Sequence, residues 1–154
     1  MVVSPGVALR DIWQVHYREI ATGRTWPGGR YENVVCVNGK AFLAAWLNLE
    51  SPVHSRSTIY GAVGTSATAP AGGDTGLGSE LARVVLATSS RLSNLVTLDF
   101  FFGSGQGNGV LMEAGLFLGA TSSAGTGSLL SHVAISENKT SSVTMTLEFS
   151  LQIG

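Results

Sequence analysis

The sequence of 154 residues predicts an all-β protein, an antiparallel β-sandwich of jelly-roll type with one short α-helix. Three observations support this class: short segments in which apolar and polar residues alternate, glycine-rich turns between them, and a single stretch with helical periodicity. A partly open barrel is the alternative architecture. Residues 1–154 are expected to form one domain, since the chain can bury a sizeable core and shows neither an internal repeat nor an interdomain linker.

The first two strands are predicted near the N-terminus. Trp13, Val15 and Tyr17 alternate with polar residues, which places the three side chains on one face of a strand. A second strand is expected at residues 31–37, and the glycine-rich residues 23–30 are expected to connect the two.

One helix is predicted between the second and third strands, at residues 39–49, with Asn38 as its N-cap. Its apolar residues fall at i, i+1, i+4 and i+5 and form one stripe: Phe42, Leu43, Trp46 and Leu47. We expect the helix to cover one end or face of the sheet. An amphipathic membrane helix is the alternative, but Lys40 is the only basic residue in the segment.

The second half of the chain contains the clearest strand patterns. Residues 83–88 and 95–102 are expected to form an antiparallel hairpin, with residues 89–94 as its turn. Residues 143–153 alternate strictly, so a strand with one buried face is expected there. That face holds Val143, Met145, Leu147, Phe149, Leu151 and Ile153.

Two long segments, residues 64–79 and 119–128, consist mostly of Gly, Ser, Thr and Ala and are predicted to be loops. Glycines also alternate with polar residues at 105–109. Ordered long loops often carry function, so we expect contacts with partners to be made there. The candidate contact residues are Gly64, Thr65, Pro70, Asp74, Gly105, Gly107 and Asn108.

The low content of charge restricts the possible functions. Only 12% of the residues are charged, about half of the roughly 25% that is typical, and the formal net charge is −1. Nothing therefore directs the chain to nucleic acid or to an anionic membrane. A monomer usually carries more surface charge, so we expect other subunits to cover much of the surface. The single cysteine, Cys36, excludes an internal disulfide and is expected to be a small core residue.

The sequence contains no pattern typical of a catalytic, cofactor or metal site. His16, His54 and His132 are scattered and lack metal-ligand spacing. Nucleophile-elbow and phosphate-loop motifs are absent, and the glycines at 103–109 precede an extended segment rather than a helix. We therefore expect no cofactor and no enzymatic activity.

Glu113 is the residue of most interest, because it is a lone carboxylate in an apolar run and is expected to be partly buried. A buried carboxylate needs a partner or several backbone donors. A catalytic acid and a structural anchor are both possible, and we favour the anchor. Arg83, paired with either Glu113 or Glu80, would fasten the glycine-rich loop to the sheet.

Several segments, spread from about residue 33 to residue 153, resemble small structural proteins of tailed bacteriophages, including the N-terminal domain of tail-collar and tail-fibre proteins. Residues 109–117, GVLMEAGLF, are similar to that family's G-x-I-x-E-x-G-L-F segment. Further similar segments, in the family's order, are Ala62-Val63-Gly64-Thr65, Ala69-Pro70, Asp74-Thr75-Gly76-Leu77, Glu80-Leu81-Ala82-Arg83, Gly127-Ser128-Leu129-Leu130 and Lys139-Thr140.

The resemblance implies a structural virion protein, made in the host cytoplasm and assembled as a homotrimer with other virion proteins. Because the chain ends at Gly154, we expect a compact subunit of the tail, baseplate or attachment apparatus rather than a fibre. A capsid decoration protein is the alternative. A carbohydrate-binding module that recognises a host surface glycan through Trp13, Trp26 or Tyr31, and a glycan hydrolase using Glu113, rank lower.

Overall fold

The computed structural model describes residues 8–48 and 56–154, and within them the chain is all-β and antiparallel with one α-helix, as predicted. The elements are β1 (Leu9–Glu19), β2 (Thr25–Val34), α1 (Val37–Leu47), β3 (Ile59–Gly64), β4 (Glu80–Leu92), β5 (Leu95–Phe102), β6 (Gly109–Leu118), β7 (Ser128–Lys139) and β8 (Val143–Ile153), and a 3-10 turn at Arg56–Thr58 precedes β3.

The eight strands form one continuous sheet in the order β2-β1-β8-β5-β4-β3-β6-β7. β4 belongs to both halves, because its first part pairs with β3 and its later part with β5. The outer strands β2 and β7 approach each other, and the Ser136 N–H donates to the Tyr31 hydroxyl at 3.0 Å. The two halves therefore face each other like a sandwich, within a sheet that nearly closes into a barrel.

The main core lies between the two halves of the sheet. Trp13 on β1 and Phe149 on β8 meet edge to face, with ring centroids 4.9 Å apart. The predicted buried faces of these strands are confirmed except at the end of β8, where Ile153 is 44% exposed. Other large side chains buried here are Phe100, Phe102, Leu111, Leu116, Met145 and Leu147.

A second apolar cluster lies on the opposite face of β3, β6 and β7, under the loop of residues 65–79. It contains Phe117 and Leu129, which are buried, and Leu77 from the loop packs against it. Cys36 belongs to this cluster, in agreement with its predicted role as a small core residue. The loop is thus the outer layer of a small core.

The predicted second strand is placed wrongly, since β2 begins at Thr25 and ends at Val34. The glycines at 28 and 29 serve close packing rather than a turn: a Cβ at Gly28 would lie 2.9 Å from the Tyr17 ring. The connection to β1 is therefore only residues 20–24.

Two other boundaries differ from the prediction. The helix begins at Val37, so Asn38 lies inside it and is not its N-cap, and the predicted end at residue 49 lies outside the described residues. The hairpin turn is shorter than expected: β4 continues to Leu92, and Ser93, with φ of 53°, and Asn94 make the turn. The sequence patterns do not predict β3 and β7.

Candidate functional site

The loop of residues 65–79 is fastened to the sheet by Glu113. The Glu113 side chain lies on the outer face of β6 and is 1% exposed, opposite a β-bulge in β7, since Leu111 pairs with Glu137 and Glu113 with Ala134. Its two carboxylate oxygens accept backbone N–H groups from Gly78 at 2.8 Å, Ser79 at 2.7 Å and Ser66 at 3.3 Å. Because the donors come from both ends of the loop, one carboxylate closes it.

His132 on β7 links Glu113 to a second carboxylate. Its Nε2 lies 2.9 Å from Glu113 Oε2, and its Nδ1 lies 2.7 Å from Asp74 Oδ2. Each ring nitrogen thus faces a carboxylate oxygen, and the imidazole bridges the two acids. Asp74 also accepts the Ala71 N–H at 2.7 Å, so the cluster Glu113–His132–Asp74 holds the middle of the loop as well as its ends.

The protein environment favours the charged forms of both carboxylates. Burial opposes the ionisation of Glu113, but the N–H groups of Ser79 and Gly78, together with His132 and Ser66, lower its pKa below 4.5. The pKa of Asp74 is lowered below 3.8 by the Ala71 N–H and by His132.

The space beside the cluster is small. A cavity of about 90 Å³, lined by Ser66, Asp74, Glu113 and His132, lies on one side. Small-molecule sites are usually about 300–1,000 Å³. Both Glu113 oxygens are already occupied by backbone donors and His132, so the arrangement is built for holding the loop.

Arg83 holds a second loop, residues 119–127. It pairs with Glu80 through two bonds of 2.5 and 2.8 Å, and so resolves the two alternatives in favour of Glu80 rather than Glu113. Its Nη1 also donates to the main-chain oxygens of Thr121 at 3.2 Å and Thr126 at 3.1 Å. The guanidinium lies over the Phe117 ring, 4.6 Å from the centroid.

Lys139 holds a third loop, residues 103–108. The side chain is 1% exposed, and its Nζ donates to Gly103 O and to Asn108 Oδ1, each at 2.8 Å. Burial lowers the pKa of Lys139 below 10.5. Among the described residues, no carboxylate forms a salt bridge with this ammonium group.

Two further acids that hold the strands together were not predicted from the sequence, the half-buried Glu137 and the buried Asp11. Glu137 accepts the Gly29 N–H at 2.6 Å and the Tyr17 hydroxyl at 2.7 Å, which ties β2 to β7. Asp11 is fully buried and accepts the Ser131 hydroxyl, and burial raises its pKa. The polar residues of β7 occur in runs rather than alternating with apolar ones, and nothing local shows which of them are buried.

The candidate contact residues fall into two groups. Gly64 ends β3 and is buried, as is Gly107, so neither offers a surface to a partner, contrary to the expectation from the sequence. The Asp74 carboxylate is in hydrogen-bond contact with His132, and Pro70 is half-buried. Thr65, Gly105 and Asn108 are exposed.

His16 and His132 lie on different strands, and His54 lies outside the described residues. His16 is exposed, 3.5 Å from Glu148, and His132 belongs to the buried cluster. In residues 8–48 and 56–154, no group of three His, Cys, Asp or Glu side chains is placed to hold a metal ion. No helix in the same residues has the length and apolar character needed to cross a membrane. Comparisons of the chain with protein-family models, with curated proteins and with solved structures find no match.

Proposed function

We propose that the chain is a structural protein of a tailed-bacteriophage virion, a compact non-enzymatic subunit of the tail, baseplate or attachment apparatus. It assembles with copies of itself, as a homotrimer, and with other virion proteins. The resemblance of residues 109–117 and the segments around them supports the family, and the distribution of apolar and charged side chains supports an assembling subunit.

The observation that carries this proposal is a set of large apolar side chains that stand exposed on β4, β5 and β6. On the same strands, the side chains of Arg83 and Glu113 are buried. The exposed apolar ones are Leu81, Val85, Leu92, Phe101, Val110 and Met112. Exposed apolar patches on strands mark interaction surfaces in soluble proteins.

Val85 and Phe101 are the proposed centre of the contact surface. They are 44% and 50% exposed, and both line an open groove of about 410 Å³ together with Tyr60 and Ala87. An exposed aromatic ring beside an apolar groove is the kind of anchor that carries most of the binding energy at interfaces.

The other functions have less support. A glycan hydrolase would need an accessible acid, whereas Glu113 is enclosed by its donors beside a small cavity. A carbohydrate-binding module has less support because Trp13 is buried and the Tyr31 hydroxyl accepts a hydrogen bond from the Ser136 N–H. Trp26 stacks on Tyr17 but also lines an open groove of about 520 Å³. A capsid decoration protein would use the same apolar surface, so a position on the capsid remains the alternative to one in the tail.

The proposal is tested by comparing Phe101→Arg with Leu92→Arg. Leu92 is 78% exposed at the hairpin turn and pairs with Leu95, about 20 Å along β5 from Phe101, so it is a matched control. Sedimentation of the wild-type chain is expected to show a trimer, which Phe101→Arg dissociates and Leu92→Arg leaves intact.

Location is tested separately, by electron cryo-microscopy of particles from the phage that encodes the chain. Density for the subunit at the tail supports the proposal, and density on the capsid supports the decoration alternative. A wild-type chain that stays monomeric and is missing from purified particles would contradict the proposal.

A further inference from the structure

We propose that Asn108 is a self-modification site: the Gly109 backbone nitrogen attacks the Asn108 side-chain amide, which is converted through a cyclic imide into a carboxylate paired with Lys139. Three observations at the junction of the 103–108 loop and β6 carry this inference.

The first observation is the sequence Asn108-Gly109 at this junction. Asn108 is the last residue before β6, and Gly109 has φ of 137°, in the region that favours glycine. Glycine offers the least steric obstruction to a ring closing between its own nitrogen and the preceding side chain. The required nucleophile and electrophile therefore occupy adjacent residues.

The second observation is the contact between Lys139 and the carbonyl oxygen of the same amide. Lys139 Nζ donates to Asn108 Oδ1 at 2.8 Å, and Asn108 Nδ2 donates to Ser104 O at 2.8 Å. An ammonium group at that oxygen draws electrons from Cγ and stabilises the negative charge that develops when a nucleophile adds. The buried amine thus acts as a positioning and electrostatic group, and it forms no bond itself.

The third observation is that aspartate, the product at residue 108, would pair with the buried ammonium group of Lys139. Within the described residues, Lys139 is 1% exposed and contacts only neutral oxygens, those of Gly103 and Asn108. A buried cation is normally paired with an anion. Aspartate at residue 108 would place a carboxylate oxygen where Asn108 Oδ1 now lies.

The reaction balances without a cofactor or an oxidant. The Gly109 nitrogen forms a bond to Asn108 Cγ, the Cγ–Nδ2 bond breaks, and ammonia leaves with the proton from the Gly109 nitrogen. Water then adds at Cγ and opens the imide, which restores the main chain and leaves aspartate. Opening at the main-chain carbonyl instead gives isoaspartate.

The test follows this conversion in the folded protein, incubated at neutral pH in water enriched in heavy oxygen, by mass spectrometry of its peptides. Asn38-Gly39, which lies in α1, is an internal control with the same dipeptide. We expect labelled aspartate to appear at residue 108 before it appears at residue 38. Removing one charge-assisted bond in Lys139→Met should slow conversion at residue 108 about tenfold.

The Lys139→Met result separates activation from simple loop mobility. If Lys139 only holds the loop still, its removal will free the loop and speed conversion at residue 108, which would overturn the proposal. Conversion of residue 108 no faster than that of residue 38 would overturn it as well.

The paired product is tested independently by Asn108→Asp. This variant should melt at a higher temperature than the wild type, and the gain should disappear when Lys139→Met is added. A lower melting temperature for Asn108→Asp alone would contradict a carboxylate at this position.

Discussion

Two loops of this protein, residues 65–79 and 103–108, are held by buried charges of opposite sign, and the two charges are satisfied to different degrees. Glu113 accepts three backbone N–H groups and contacts His132, whereas Lys139 donates to two neutral oxygens. The Glu113 carboxylate is therefore stabilised both by backbone dipoles and by a titratable partner, whereas the Lys139 ammonium group is stabilised by dipoles alone.

The difference shows how a chain poor in charge can order glycine-rich loops. A loop that curves around a carboxylate turns several N–H groups toward it, and these replace the water that burial removes. The desolvation cost of a buried ion is offset only when such partners are numerous and well placed. By this criterion Glu113 should stabilise the fold substantially, and Lys139 should stabilise it less.

The largest effect is expected for Glu113→Ala. The substitution leaves the N–H groups of Ser66, Gly78 and Ser79 without their acceptor and leaves His132 without one carboxylate. Breaking a buried pair of this kind costs about 3–5 kcal/mol of unfolding free energy. Urea denaturation measures the loss, and impaired assembly should accompany it.

The matched control for that variant is Glu148→Ala. Glu148 lies 3.5 Å from His16 on the surface, and exposed pairs are worth about 0–1 kcal/mol. Equal losses for the two variants would mean that the buried contacts of Glu113 contribute nothing beyond a surface pair.

Acid should weaken the same site. The pKa of Glu113 is lowered in the folded chain, so the folded state binds fewer protons than the unfolded state below pH 4.5. The stabilisation is complete above that pH and is lost as the pH falls through the folded-state pKa, and Asp74 acts in the same direction below 3.8. Urea denaturation at a series of pH values should show a steeper acid loss for the wild type than for Glu113→Gln, and parallel curves would argue against an ionised Glu113.

Lys139→Met should cost less than Glu113→Ala, about 1–2 kcal/mol, because two hydrogen bonds are lost while the desolvation cost of the ammonium group disappears. Urea denaturation gives the difference, and limited proteolysis should show faster cleavage within residues 103–108. A loss as large as that of Glu113→Ala would remove the contrast between the two loops.

The fold was predictable where the pattern of a strand is local. β1 and β8 alternate apolar and polar residues along their own length, which is enough to identify a strand with one buried face. Local alternation does not identify β7 as a strand, because its buried residues include Ser131, His132 and Lys139. Their polar groups are satisfied by partners far away in the chain, and no local pattern records those contacts.

The candidate site was predictable in part for the same reason. A single carboxylate in an apolar run indicates burial, and Glu113 is buried. Its partner His132 could not be inferred, because it depends on the pairing of β6 with β7 across a bulge. Arg83 and Glu80 are three residues apart, so their pairing could be named in advance as one of two alternatives.

The smallest effect is expected for Asp74→Asn. The side chain is 30% exposed, and asparagine keeps an oxygen that can accept from His132 and from the Ala71 N–H, so we expect a loss of about 0.5–1 kcal/mol in urea denaturation. The informative quantity is its coupling to Glu113→Gln in a double-mutant cycle. Coupling would mean that the two carboxylates act through His132 as one network, as the geometry indicates. Additive losses would mean that the loop is held only by the backbone N–H groups that donate to Glu113. In that case the contact with His132 would not explain why Glu113 stabilises its loop more than Lys139 does.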